Sequence, residues 1–275
     1  MKLLSEFTQV LWIVIIVAVF LVPVMRKQIL NSSRFQVLKR LQNKRGTRAI
    51  TLIHRQEFIN LLGIPLTRFV NIEDSEQLLR AIRLTPDDVP IDLVLHTPGG
   101  LVLASEQIAR AIQNHPAEVS VFVPHFAMSG GTLIALAADK IYMDENAVLG
   151  PVDPQLGQYP ATSIMKVVEM KDINEIDDST LILNDIAGKA IKQVEDVLRE
   201  LLEKNYSQEK AGELAVLLSQ GKWTHDYPIT FDQLQEMELK VSTKMPREIY
   251  TLMELYPQPP QRRPSVQYIP FEREK

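Results

Sequence analysis

Cysteine is missing from the 275-residue chain, which removes disulfides, thiolate metal sites and cysteine nucleophiles together and leaves the redox compartment open. The chain also lacks a P-loop, a Rossmann glycine fingerprint and any zinc-binding spacing, so no nucleotide, metal or other cofactor is implied. Acid is nearly absent from the first 55 residues, which hold ten Lys/Arg against a single carboxylate, Glu6. The chain as a whole nevertheless carries a net charge of −4, so the remainder is acidic. No basic, aromatic-interleaved surface follows downstream, which argues against a nucleic-acid partner.

Charge is missing altogether from "FTQVLWIVIIVAVFLVPVM", the run from Phe7 to Met25. As a helix that run would span roughly 28 Å, close to the hydrocarbon thickness of a bilayer. It ends in "VPVMRKQ" with no small-residue cleavage pattern, so residues 1–25 read as an uncleaved transmembrane anchor rather than a secretory signal. Arg26, Lys27, Arg34, Lys39 and Arg40 follow at once, and residues 26–48 read as a basic juxtamembrane linker, helical at least in part. The positive-inside bias then puts everything after residue 26 on the cytoplasmic side of the cell membrane, as a single-pass protein. The same cations can rest on anionic lipid, making the bilayer itself a partner.

What is present is an apolar fraction of 45%, enough for a sizeable core. From residue 49 onward, short apolar β-type runs alternate with helix-type segments. Strands are expected at 49–54, 90–97 and 119–125, with short strand-like pieces at 140–144 and 147–150. Helices are expected at 74–84, 101–115 and 130–139, the pattern of a parallel sheet with crossover helices. Helical periodicity then dominates at 180–205, 208–220, 231–238 and 246–256. Residues 49–256 therefore read as one α/β domain, and 257–275 as a proline-rich tail.

Two glycine pairs occupy equivalent places in successive β–α units: Gly99–Gly100 after "IDLVLHTP" and Gly130–Gly131 after "VFVPHFAMS". Glycine after a strand lets the backbone turn sharply and direct N–H groups into a shared crevice at the carboxyl ends of the strands. Ser129 stands there, just ahead of a helix. Residue 127 is alanine, so the G-x-S-x-G pattern is not met, and Ser-Gly-Gly at a helix start is also a good cap. On the string alone, capping and packing outweigh catalysis; the neighbouring "TPGG" shifts the balance by supplying a cradle for an oxyanion.

The strings "LVLHTPGGLVLASEQIARAI" and "VFVPHFAMSGGTLIALAADKIYMDENAVLGPVDPQ" resemble the Clp/crotonase superfamily in its membrane-anchored peptidase branch. The likeness is to the serine dehydrogenase proteinases, also described as ClpP-class periplasmic serine proteases. These are related to signal peptide peptidase A and to NfeD-type proteases. It extends from about Thr51 to Pro257. The resemblance implies a ClpP/crotonase-like spiral of β–α units, Ser129 as nucleophile, and an oxyanion and substrate-binding set of Gly99, Gly100 and Gly130. It also implies assembly into a homo-oligomer.

The general base is less clear. Clp-type proteases carry a histidine some 25 residues after the serine, but here that stretch reads "LGPVDPQLG". The related lysine-dependent enzymes carry a lysine shortly after a Ser-Ile dipeptide. Ser163–Ile164 matches it, and Lys166 and Lys171 follow. Lys171 lies nearer the relatives' spacing, offset by one residue, while Lys166 sits between Met165 and Val167. A base lysine must be desolvated to be neutral at pH 7. His96 and His125 lie at strand ends and read more readily as packing residues; His225, followed by Asp226, is a weak triad candidate. Asp153 reads as structural, and Asp177–Asp178 as a helix cap before Thr180.

The expectation is therefore a membrane-anchored serine-type endopeptidase acting on peptide or membrane-protein substrates, with a Ser-Lys dyad of Ser129 and Lys171 or Lys166. Two alternatives stand beside it: a crotonase-like acyl-CoA enzyme using the same glycine amides, and a catalytically inactive membrane scaffold. Dehydrogenase activity is not expected, since neither a dinucleotide fingerprint nor a pyridoxal-lysine setting is visible.

Overall fold

The computed structural model describes residue 12 and residues 17–55, 57–59, 64–66 and 69–256. The expected anchor over 1–25 lies mostly outside the described residues, and the tail over 257–275 lies wholly outside them. Among the described residues no helix is long and apolar enough to cross a membrane.

After a π-helical turn at Val17–Leu21 comes α1 (Val22–Arg45), ended by Gly46 in the left-handed region at φ 66°. The strands that follow are β1 (Arg48–Ile53), a small antiparallel pair β2 (Glu57–Ile59) and β3 (Ile64–Leu66), and then α2 (Ile72–Arg83) intervenes. The chain continues through β4 (Ile91–His96), α3 (Val102–Gln113), β5 (Val119–Val123), β6 (Phe126–Ala127) and α4 (Gly130–Leu136). Next come β7 (Lys140–Met143), β8 (Val148–Leu149), the hairpin β9 (Gln155–Leu156) and β10 (Tyr159–Pro160), and α5 (Ala161–Met170). The last elements are α6 (Asp178–Glu203), α7 (Gln208–Ser219), β11 (Ile229–Thr230), α8 (Phe231–Glu236), β12 (Val241–Ser242) and α9 (Arg247–Glu254).

The main sheet has the order β1-β4-β5-β7-β12 and every pair in it is parallel. Every residue of β4 and of β5 is buried, as strands covered on both faces require. A second sheet, β11-β8-β6, pairs β6 with β8 in parallel and β8 with β11 antiparallel. The fold is thus α/β with a mostly parallel sheet, and the alternation seen in the sequence is the alternation of crossover units. The capping box of α2, in which Asn71 and Asp74 bond each other's amides, starts that helix at Ile72, two residues ahead of the expected 74. Asp177 caps α6 by accepting from the Thr180 amide at 3.0 Å, the role its position before Thr180 indicates.

The stretch expected as a linker over 26–48 is helical as far as Arg45, and the second half of that helix belongs to the folded body. Val37 and Leu41 are buried against Val94 and Phe122 of the sheet and Ile249, Leu252 and Met253 of α9. Arg45 reaches the buried carboxylate of Asp92 at 2.6 Å, where Thr47 also donates at 2.7 Å. The guanidinium lies 5.0 Å from the Phe122 ring centre.

Candidate active site

Ser129 sits between β6 and α4 with φ 51° and ψ −116°, a backbone conformation that non-glycine residues seldom hold. Such a residue stores roughly 1–3 kcal/mol of strain and persists only where its surroundings over-determine it. Its hydroxyl does not cap α4, which removes the structural role that the sequence string favoured. What remains is a serine displayed on a sharp strand-to-helix turn, the geometry of a nucleophile elbow without the G-x-S-x-G string.

The two glycine turns meet at this serine. A Cβ at Gly99 would lie 2.8 Å from Ser129 Cβ and 2.7 Å from the Met128 carbonyl oxygen, so only glycine permits the approach. A Cβ at Gly130 would come within 2.2 Å of Ser105 Oγ, and it would sit 3.6 Å from the Gly100 nitrogen. The turn at 99–100 is gripped from the side by Val70, whose amide donates to the Gly99 carbonyl at 2.7 Å and whose carbonyl accepts from Leu101 at 2.8 Å.

The three glycines do not carry equal roles. The Gly99 amide donates to Thr97 Oγ1 at 3.2 Å and is therefore engaged within its own turn. Among the described residues the amides of Gly100 and Gly130 have no such acceptor, and Gly130 opens α4, where an N–H is free of the helix ladder. Two free N–H groups beside a strained serine are what a tetrahedral oxyanion needs.

These residues border a cavity of about 900 Å³ that Asp153 and His225 also line. Its walls carry Phe69, Val102, Leu133, Val152, Leu156 and Val194. His225 Nδ1 lies 2.9 Å from Asp153 Oδ1, and Asp153 is buried to 2% exposure with its other oxygen accepting from Gln155 at 2.6 Å. The bond to Asp153 raises the His225 pKa above its ordinary value, against the opposing effect of burial. The loop that presents His225 is anchored by Trp223 and Tyr227, stacked 5.5 Å apart and packed on the core.

A model of the ClpP-like SDH-type serine proteinases matches residues 1–275, the whole chain. The chain belongs to that family. Two uncharacterized proteins of Methanocaldococcus jannaschii are similar to it. One is 56% identical over 269 residues, covering 98% of this chain and 94% of the relative, and the other is 55% identical over 251 residues, covering 91% and 86%. Among solved structures, a 1510-N membrane-bound stomatin-specific protease is similar at 20% identity and a TM-score of 0.43, over 66% of this chain and 79% of that one.

Within this SDH-type proteinase, neither Lys166 nor Lys171 borders the cavity that holds Ser129. Lys166 is exposed on α5 and lines a separate depression with Glu169, Lys192 and Glu195. Lys171, just past the end of α5, is exposed as well. The desolvated setting that a base lysine needs is absent at both. His96 is 1% exposed, packed against His125 and Phe126, and burial drives its pKa down to about 3. Neither His96 nor His125 borders the Ser129 cavity.

The Asp153–His225 pair was the least visible feature in the sequence. His225 pairs with a residue 72 positions earlier and not with its neighbour Asp226. The one available signal was that Asp153 stands near the position where Clp-type proteases keep their histidine.

Proposed function

We propose that this SDH-type proteinase is a membrane-anchored serine endopeptidase in which Ser129 is the nucleophile and His225, oriented by Asp153, is the general base. The supporting observation is that the strained serine, two unengaged amides and a carboxylate-bound imidazole border a single cavity. Asp153 holds the proton on Nδ1, which leaves Nε2 of the neutral ring as the acceptor. In the reaction Ser129 Oγ attacks the scissile carbonyl carbon and its proton passes to His225 Nε2. The amides of Gly100 and Gly130 take the developing oxyanion. The imidazolium then returns the proton to the departing amine, and water repeats the sequence on the acyl-enzyme.

The apolar walls favour an apolar peptide segment as substrate. The uncharged run from Phe7 to Met25 and the cations after it support a single-pass anchor with the domain on the cytoplasmic face. Substrates are then peptides or membrane-associated proteins met near the bilayer, and a homo-oligomer is the working assembly.

The test is labelling of the full-length protein with a fluorophosphonate probe. Wild type should label, Ser129→Ala should not, and His225→Ala should lose about two or more orders of magnitude in rate, as loss of a general base does. Labelling that survives His225→Ala but disappears in Lys171→Ala or Lys166→Ala would return the base to the end of α5. A folded wild type that never labels would favour the scaffold.

A further inference from the structure

An Asp–His–hydroxyl line with a buried histidine and threonine reaches the glycine turn, apart from the groups assigned to the reaction. Asp74 Oδ2 is 3.3 Å from His54 Nε2, and His54 Nδ1 is 2.8 Å from Thr97 Oγ1. Thr97 Oγ1 in turn accepts from the Gly99 amide at 3.2 Å. His54 is 6% exposed and Thr97 is fully buried. The directions of these bonds follow from the end groups. A carboxylate accepts, so Nε2 carries the ring proton and donates to Asp74, which makes Nδ1 an acceptor. The single hydroxyl proton of Thr97 goes to Nδ1, and a lone pair of Oγ1 faces the Gly99 N–H. The competing contact, from Thr97 Oγ1 to the Gly99 carbonyl oxygen, is longer at 3.4 Å.

The line closes into a ring. Asp74 Oδ2 also accepts from the Asn71 amide at 3.0 Å, and the next residue back, Val70, holds Gly99 and Leu101 through its own amide and carbonyl. His54 is fixed at its backbone by donation to the His96 carbonyl at 2.7 Å. The turn bearing the free Gly100 amide is thus held from the side by Val70 and from below by Thr97. His54 is the link that joins the two supports. Packing alone would be served as well by an apolar ring at this position, which would bury no polar atoms.

We propose that His54 is a positioning residue for the oxyanion turn: bonded to Asp74 on one nitrogen and to Thr97 on the other, it fixes the hydroxyl that engages Gly99 and so aims the neighbouring Gly100 amide into the cavity. This rests on the reading of Ser129 as nucleophile and of Gly100 as an oxyanion donor.

The test uses full-length protein and the fluorophosphonate probe, with saturation kinetics separating the bond-forming rate constant kinact from the binding constant KI. Removing one oxyanion donor outright costs a factor of about 100–1,000, so a donor merely released from its support should cost about 10-fold or more. Thr97→Val, which keeps the shape and removes the hydroxyl, should lower kinact by that factor with KI nearly unchanged. Thr97→Ser should restore it. His54→Asn should retain most of the rate, because its amide stands two bonds from Cβ, where Nδ1 stands in histidine, whereas His54→Leu should behave like Thr97→Val. A role confined to stability would lower the unfolding temperature and leave kinact of the folded fraction alone.

A Thr97→Val protein with wild-type kinact, or a Thr97→Ser protein no better than Thr97→Val, would overturn the proposal. So would a His54→Asn protein no better than His54→Leu. Ser129→Ala separates the two levels: if it labels like wild type, or if wild type does not label, both readings fall. If Ser129→Ala abolishes labelling while Thr97→Val is normal, only the role of His54 falls.

Discussion

The residue whose ionisation governs the proposed reaction is His225, and its pH behaviour follows from one contact. The bond to Asp153 holds its pKa above the ordinary 6.5. A base must be neutral to accept a proton, so the labelling rate should rise with pH to a plateau whose midpoint lies above that value. Asp153→Asn removes the carboxylate, leaves burial as the dominant effect, and should move the midpoint to lower pH while reducing the plateau. The linkage has a definite sign. A histidine raised on folding stabilises the protein fully below its unfolded pKa and loses that contribution as pH rises through the folded value. The unfolding temperature of wild type should therefore exceed that of Asp153→Asn most at pH 5.5 and least well above the raised pKa. A wild-type midpoint below 6.5, or one that Asp153→Asn fails to move, counts against the pair. The pairing of Asp153 with His225 was not legible in the sequence, where His225 read as a weak candidate beside Asp226 and Asp153 as structural. Ser129 and its glycines announce themselves because they fall within single short strings, whereas Asp153 and His225 meet only after α5, α6 and α7 have folded between them.

At the scale of elements, the sequence was most informative where a long apolar pattern is buried and least where few residues are. Strands β4 and β5 appear where their unbroken apolar runs predict, and helices α2, α3, α6 and α7 where apolar residues recur along one face. Helix α5 was not foreseen: it is only ten residues long, its apolar stripe is Ala161, Ile164, Met165 and Val168, and Val167 and Met170 lie exposed beside it. Helix α1 read as a linker for a similar reason, since only Val37 and Leu41, four residues apart, are buried along its 24 residues. Those two contacts tie α1 to both the sheet and α9. Leu41 is 1% exposed, and Leu41→Ala should cost about 2–5 kcal/mol, the range for a buried leucine truncated in a packed core. Denaturant unfolding in detergent measures it. A loss well under 1 kcal/mol would mean that α1 is an appendage of the domain. Leu38 is only partly buried at the same seam, and Leu38→Ala should cost less.

At the scale of the whole molecule, α1 would make the proposed anchor one end of a spacer of fixed length. Its docked half is pinned to α9 by Arg34, which donates to the Leu255 carbonyl at 2.9 Å and lies 4.0 Å from the Tyr256 ring centre, and by Lys44 with Glu248 at 2.9 Å. Toward its start α1 leaves Val22, Val24 and Met25 exposed at the end of the uncharged run that begins at Phe7, and Ile29 exposed beyond Arg26 and Lys27. From Met25 to Val37 the helix rises about 18 Å at 1.5 Å per residue, so a bilayer holding the anchor would keep the domain within roughly that distance of the headgroups. Full-length protein in native membranes should then resist alkaline carbonate extraction. Protease added from outside sealed cells should leave the domain intact, and protease added to inverted vesicles should reach it. An arginine in the middle of the run, Ile15→Arg, costs about 2.5–3.5 kcal/mol for insertion and should shift the protein toward the extractable fraction. Insertion and chemistry should separate in that variant: detergent-solubilised Ile15→Arg should label with the fluorophosphonate as wild type does, because the cavity lies in the α/β body. Wild-type protein released quantitatively by carbonate would remove the anchor, and with it the fixed spacing that confines the proposed substrates to the membrane surface.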